Sequence, residues 1–89
     1  MKIHCGLKQT PQGYQVGQLE ICNTNFGGLR KYYNSQSLVY KRLKYATEVC
    51  KRFYRHCYPK AEIVFLGVIE SASFTGEPAT QEEFENFNN

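Results

Sequence analysis

Residues 34–59 read NSQSLVYKRLKYATEVCKRFYRHCYP, and the spacing of their apolar positions decides the fold. At about 100° per residue, Val39, Leu43, Ala46, Cys50, Phe53 and Cys57 fall inside an arc of about 80°. Val49 and Tyr54 widen that stripe on either side. The pattern predicts one long amphipathic helix, with Asn34 and Ser35 offering N-cap oxygens and Pro59 ending the hydrogen-bond ladder. Arg42 stands at the edge of the stripe, where its stem can lie along the core while the guanidinium reaches water.

Strands flank this helix on both sides. Lys2 to Lys8 alternates, with Ile3, Cys5 and Leu7 on one side and Lys2, His4 and Lys8 on the other, as in a half-buried strand. Thr10-Pro11-Gln12-Gly13 is a turn, and Tyr14 to Cys22 returns as a second strand. Its apolar parity changes between Val16 and Leu19 with Gly17 between them, which predicts a bulge. After the breakers of Asn23 to Gly28, Leu29 to Tyr33 reads as a short third strand. Beyond the helix, Ala61 to Ile69 is a continuous apolar run rich in β-branched residues, the pattern of an interior strand. The expected fold is α+β: an antiparallel sheet of three to four strands with one long helix on one face, in the order βββαβ.

A single helix covers one face of such a sheet. Strand four would offer Ile63, Phe65 and Ile69 to one side and Val64, Leu66 and Val68 to the other. The second side calls for a cover: the C-terminal segment, a second copy, or another protein. Phe74, Phe84 and Phe87 are the large apolar groups nearest to hand. Thr80 followed by Glu83 fits a capping box for a short helical turn bearing Phe84 and Phe87. Composition shifts to Ser, Thr, Gly and Pro after Glu70, so residues 1–70 are read as the domain and 71–89 as a linker with an acidic, Phe-containing tail.

Eighty-nine residues hold one small domain. No apolar run approaches the ~18 residues of a membrane span, and the first residues lack a signal-peptide core, so a cytoplasmic protein is expected. The net charge of +3 conceals a gradient. Residues 1–29 carry a net +1, residues 30–60 a net +8 from nine Lys and Arg against Glu48, and residues 61–89 a net −6 from six Glu. Asp is absent, which removes the paired-Asp chemistries.

Opposite the apolar stripe lie Lys41, Lys44, Lys51, Arg52 and Arg55, interrupted by Glu48 and bordered by Tyr40, Tyr45, His56 and Tyr58. Arg30 and Lys31 repeat the chemistry ahead of the helix. Lys and Arg neutralise phosphates, and Tyr rings stack on bases. The bland alternative is a solvated face on which Glu48 pairs with Lys44 and Arg52 at helical spacing. The imbalance of sign favours the first reading: a non-enzymatic binding protein that engages nucleic acid or a nucleoprotein complex through Arg30, Lys31, Tyr40, Lys41, Lys44, Tyr45, Lys51, Arg52 and Arg55.

A second reading belongs to another class. It is a small protein–protein inhibitor or adaptor, of the kind phages and mobile elements direct at nucleic-acid-processing complexes. Val64, Leu66, Val68, Phe84 and Phe87 would form its contact, or the seam of a homodimer. A third is a metal-independent ribonuclease toxin using His4 and His56 as acid and base. No G-x-S-x-G, Walker A or H-E-x-x-H occurs. Four Cys and two His invite zinc, but no C-x-x-C is present, and Cys50 and Cys57 lie two turns apart on the apolar stripe. Buried, reduced cysteines are expected instead, with neither metal nor cofactor. A Cys5–Cys22 disulfide would require export, for which no signal is seen.

Overall fold

The structure, a computed structural model, describes residues 1–88. Its elements are β1 (Lys2–Thr10), β2 (Gly13–Thr24), β3 (Gly28–Tyr40), α1 (Leu43–Cys57), β4 (Glu62–Ile69), β5 (Thr75–Pro78) and α2 (Gln81–Asn88). The strands form one sheet in the order β4-β1-β2-β3-β5. The class is α+β as expected, but the sheet has five strands, it is mixed, and a second helix accompanies it.

The β1–β2 hairpin follows its sequence signals. Gly13 takes φ 141° at the turn, and the Thr10 hydroxyl donates to the Gly13 carbonyl at 2.9 Å. The largest departure from expectation is at β3, which runs on to Tyr40 and pairs Tyr40 with Tyr14. Residues 36–40 alternate, Gln-Ser-Leu-Val-Tyr, so Leu38 and Tyr40 pack on the core while Val39 is exposed. The same residues place Val39 and Leu43 at helical spacing, and long-range pairing with β2 decides between the two periods.

Helix α1 therefore begins at Leu43, and Asn34 and Ser35 cap nothing on it. Arg42 occupies the N-cap with extended backbone (φ −94°, ψ 125°) and no side-chain cap bond. Its exposed side chain is also a cation at the positive end of the helix dipole. Arg42→Asp is expected to stabilise the fold by about 1 kcal/mol, raising Tm by roughly 4–8 °C in calorimetry. An unchanged or lower Tm would contradict the capping argument.

The mixed topology follows from the crossover. β1 and β3 both run antiparallel to β2, hence parallel to each other. Helix α1 carries the chain from the end of β3 back across the sheet, so β4 enters in the direction of β3 and pairs with β1 in parallel. This puts β4 at the sheet's edge, not in its interior. Within its apolar run, Ile63 and Phe65 join the core beneath α1. Gly67, at φ 79°, sits in a bulge opposite Gly6, and the shifted register pairs Val68 with Leu7 and Ile69 with Lys8. Val68 thus shares a face with Ile63 and Phe65, and Ile69 shares the other with Val64, the reverse of simple alternation. Leu66 and Val68 are exposed.

The core lies between the sheet and α1: Ile3, Cys5, Leu7, Val16, Ala46, Cys50 and Tyr54. Beside Cys5 and buried, the Cys50 thiol is pushed up in pKa and donates to the Gly6 carbonyl at 3.7 Å. Cys5, Cys22, Cys50 and Cys57 are all free; Cys57, at the end of α1, is exposed rather than part of the stripe.

The parity change in β2 has a different origin from the expected bulge. Pairing with β1 is regular from Gly13 to Leu19. Val16 faces α1 and Leu19 faces the opposite side, because the two faces of β2 are covered at different ends of the strand. The register does shift at Gly17, but in the pairing with β3, where two steps of β2 oppose four of β3. The extra residues belong to β3.

The cover of the second face is α2. Its capping box is formed: the Glu83 N–H donates to Thr80 Oγ1 at 3.1 Å and the Thr80 N–H to Glu83 Oε1 at 3.0 Å. Phe87 stacks on His4 with centroids 3.9 Å apart, and Phe74 lies 6.0 Å from Phe87. Upstream, β5 pairs with β3, and the Glu77 carboxylate accepts from the backbone N–H groups of Phe74 and Thr75.

Burial and nearby Lys2 hold His4 below its ordinary pKa of 6.5, against a smaller opposing effect of Glu62. The unfolded chain therefore takes up a proton more readily than the folded one. The stability tied to neutral His4 is complete above about pH 6.5 and is lost as pH falls from there through the folded-state pKa. Wild-type Tm is expected to drop more between pH 7.5 and 5 than that of His4→Gln. Equal drops would show that His4 contributes nothing to the acid response.

Candidate nucleic-acid interface

Helix α1 lies on the sheet through Ala46, Cys50 and Tyr54, and this fixes which residues it turns outward. Lys44, Glu48, Lys51, Arg52 and Arg55 recur at helical spacing on the outer surface. Lys44, Glu48, Arg52 and Arg55 are exposed, while Lys51 is half-buried with its ammonium 5.3 Å from the Phe65 ring centroid. Among the described residues the one ion pair is Lys31–Glu83, so Glu48 is not paired with Lys44 or Arg52. Among the described residues no carboxylate holds the α1 cations. Arg55 in the last turn also complements the negative end of the helix dipole.

The structure gathers only part of the expected set. Lys41 is exposed in the link ahead of α1 and continues the charge. Tyr40 ends β3, half-buried against the core, with its ring edge-on to Tyr45 at 5.1 Å. Tyr45 is 53% exposed, leaving most of its ring open. Tyr58 turns inward, donating from its hydroxyl to Gln18 Oε1 at 3.3 Å.

Arg30 and Lys31 are not part of this surface. The Arg30 guanidinium donates to the carbonyls of Gly27 (3.1 Å) and Gly76 (3.2 Å), tying the start of β3 to its own turn and to β5. Lys31 pairs with Ile21 in the sheet and lies 2.7 Å from Glu83 of α2, on the face away from α1. Lys31 holds the Glu83 carboxyl below the usual carboxylate range, with help from the Thr80 backbone. The acidic C-terminal segment is therefore docked opposite the basic helix and does not shield it.

Val64, Leu66 and Val68 lie along β4, and Phe84 and Phe87 lie on α2. Val64 pairs with His4, on which Phe87 stacks, while the Gly67 bulge sends Val68 to the other face. The five residues do not form one patch. His4 and His56 stand apart as well, His4 under Phe87 and His56 exposed on α1. Among the described residues no three His, Cys, Asp or Glu side chains converge as metal ligands, and no helix is long and apolar enough to cross a membrane.

One feature of the α1 surface escaped sequence reasoning. Between α1 and the last residues of β3 runs a groove of about 370 Å³, lined by Leu38, Val49, Arg52, Phe53 and His56. Its walls are mainly apolar, and Arg52 is the one cation of the row that lines it. Leu38 reaches it only because β3 extends seven residues past Tyr33, so local periodicity carries no signal for it. No protein-family model, curated protein or solved structure matches the chain.

Proposed function

We propose that this chain is a small non-enzymatic binding protein that engages nucleic acid through the outer face of α1. The observation that carries this reading is the row of cations Lys44, Lys51, Arg52 and Arg55, extended by Lys41, with no carboxylate paired to it among the described residues. A solvated helix face gains from pairing Glu48 with its neighbours, and here that pairing is not made. A polyphosphate backbone supplies the missing anions and releases condensed counterions. Arg30 and Lys31 fall outside the contact, because each is engaged elsewhere in the fold.

Fluorescence anisotropy with labelled oligonucleotides across a salt series tests this. Three or four engaged cations predict a log–log salt slope of about −2 to −4. The triple variant Lys44→Glu, Lys51→Glu, Arg55→Glu is expected to weaken binding by about 100-fold or more at low salt. Retained binding by the triple variant removes the proposal.

A second reading has its own observation. Among the described residues the outer edge of β4 has no strand partner, and Leu66 and Val68 are each 44% exposed along it. Such an edge suits pairing with a second copy or with an inhibited partner, and light scattering distinguishes a monomer of 10.3 kDa from a dimer. If β4 is the seam, Leu66→Lys returns the dimer to monomer.

A further inference from the structure

We infer that the α1 surface takes single-stranded rather than duplex nucleic acid, with an unstacked base seated in the groove between α1 and the end of β3. This rests on the reading of α1 as a phosphate-binding face and names the substrate class of that same site.

Two rows run side by side along α1. One is cationic: Lys44, Lys51, Arg52 and Arg55. The other is Tyr45, Val49, Phe53 and His56, spaced at i, i+4, i+8 and i+11, so that successive members lie about one turn apart. Arg52 belongs to the first row and also lines the groove beside the second. A phosphate held by Arg52 thus has its base within reach of an apolar slot. Duplex nucleic acid presents phosphates to a helix face but keeps its bases stacked, leaving such a slot unused. A single strand presents both, and its bases stack on aromatic faces or fill apolar pockets.

The aromatic members are held in place for this. Phe53 is half-buried and braced edge-on by Tyr54, centroids 5.0 Å apart at 86°. Tyr45 is braced by Tyr40 at 75° and remains half open to solvent. The groove volume of about 370 Å³ lies at the small end of the ~300–1,000 Å³ range of ligand sites. An acidic peptide could use Arg52 at the groove, but the cation row runs on past the groove toward the start of α1, to Lys44 and Lys41. That extension suits a repeating phosphate chain.

The test compares labelled oligo-U, oligo-dT and a DNA duplex of equal length by anisotropy, with a 2-aminopurine base in a parallel single strand and an acidic Phe-containing peptide as competitor. The inference expects single strands to bind at least tenfold tighter than duplex, with a change in 2-aminopurine fluorescence on binding. Tyr45→Ala and Phe53→Leu should each weaken single-strand binding about fivefold or more. Tyr45 is exposed, so its variant keeps the test valid even where Phe53→Leu disturbs the core. Duplex binding as tight as single-strand binding, indifferent to both variants, overturns this inference and leaves the phosphate-binding reading standing. Absence of salt-dependent binding to every oligonucleotide, or binding of the acidic peptide alone, overturns both.

Discussion

Tyr54→Ala is expected to remove about 3–5 kcal/mol of folding stability, against a total of roughly 4–13 kcal/mol for a domain of this size. Tyr54 is the largest fully buried side chain, 1% exposed, and sits where α1 meets β1 and the end of β3. Phe53 lies edge-on at 5.0 Å and Tyr58 stacks at 6.5 Å, so its removal leaves a cavity walled by two other rings. In a small core no second layer can close that space. Tyr54→Phe separates volume from hydroxyl. The hydroxyl accepts a long 3.5 Å bond from Gln36 Nε2, so its loss is expected to cost under about 1 kcal/mol. Urea titrations of the two variants check both figures, and a loss below about 1 kcal/mol for Tyr54→Ala would contradict this account of the core. Binding by α1 should fail in parallel, since Tyr54 positions the helix that carries the cations.

Local signals in the sequence were reliable where one partner sufficed to satisfy them. The Thr10–Gly13 turn, the stop at Pro59 and the Thr80–Glu83 capping box are each formed by residues close in the chain, whereas β1, which reads as half-buried, is buried without a break from Ile3 to Leu7 because α1 covers one face and α2 covers His4 on the other. Features set by distant pairing were misread. Residues 34–40 fit a helix through Val39 and Leu43, and a strand through Gln36, Leu38 and Tyr40. Only the presence of Tyr14 and Gln15 across the sheet selects the strand. The apolar run Ile63–Ile69 places Ile63 and Phe65 under α1 but does not mark a position between two strands, since β4 is an edge strand with Leu66 and Val68 exposed. β5 has four residues, two of them Gly and Pro, and carries no strand signal. At the candidate site the cations of α1 were legible because they lie within the true helix. Their neighbouring groove was not, because it needs Leu38 from β3.

Gly17 offers the other large effect. A Cβ built there would stand 2.2 Å from the Tyr33 ring, so the ring must leave its place. In doing so it gives up the bond from its hydroxyl to the Gln15 carbonyl, 2.7 Å, and its contact with the Lys8 ammonium, 4.7 Å from the centroid. Overpacking and the lost hydrogen bond together predict a cost of about 2–4 kcal/mol for Gly17→Ala. Gly17 has no positive φ, so its backbone accepts alanine without strain, and the whole penalty must come from Tyr33. That gives the prediction a change of sign. In a Tyr33→Ala background, Gly17→Ala should be neutral or stabilising by up to about 1 kcal/mol, because alanine lowers the entropy of the unfolded chain. A double-mutant cycle by chemical denaturation reads the coupling directly. If Gly17→Ala costs as much without the Tyr33 ring as with it, the glycine serves the β3 register shift beside it rather than the ring above it.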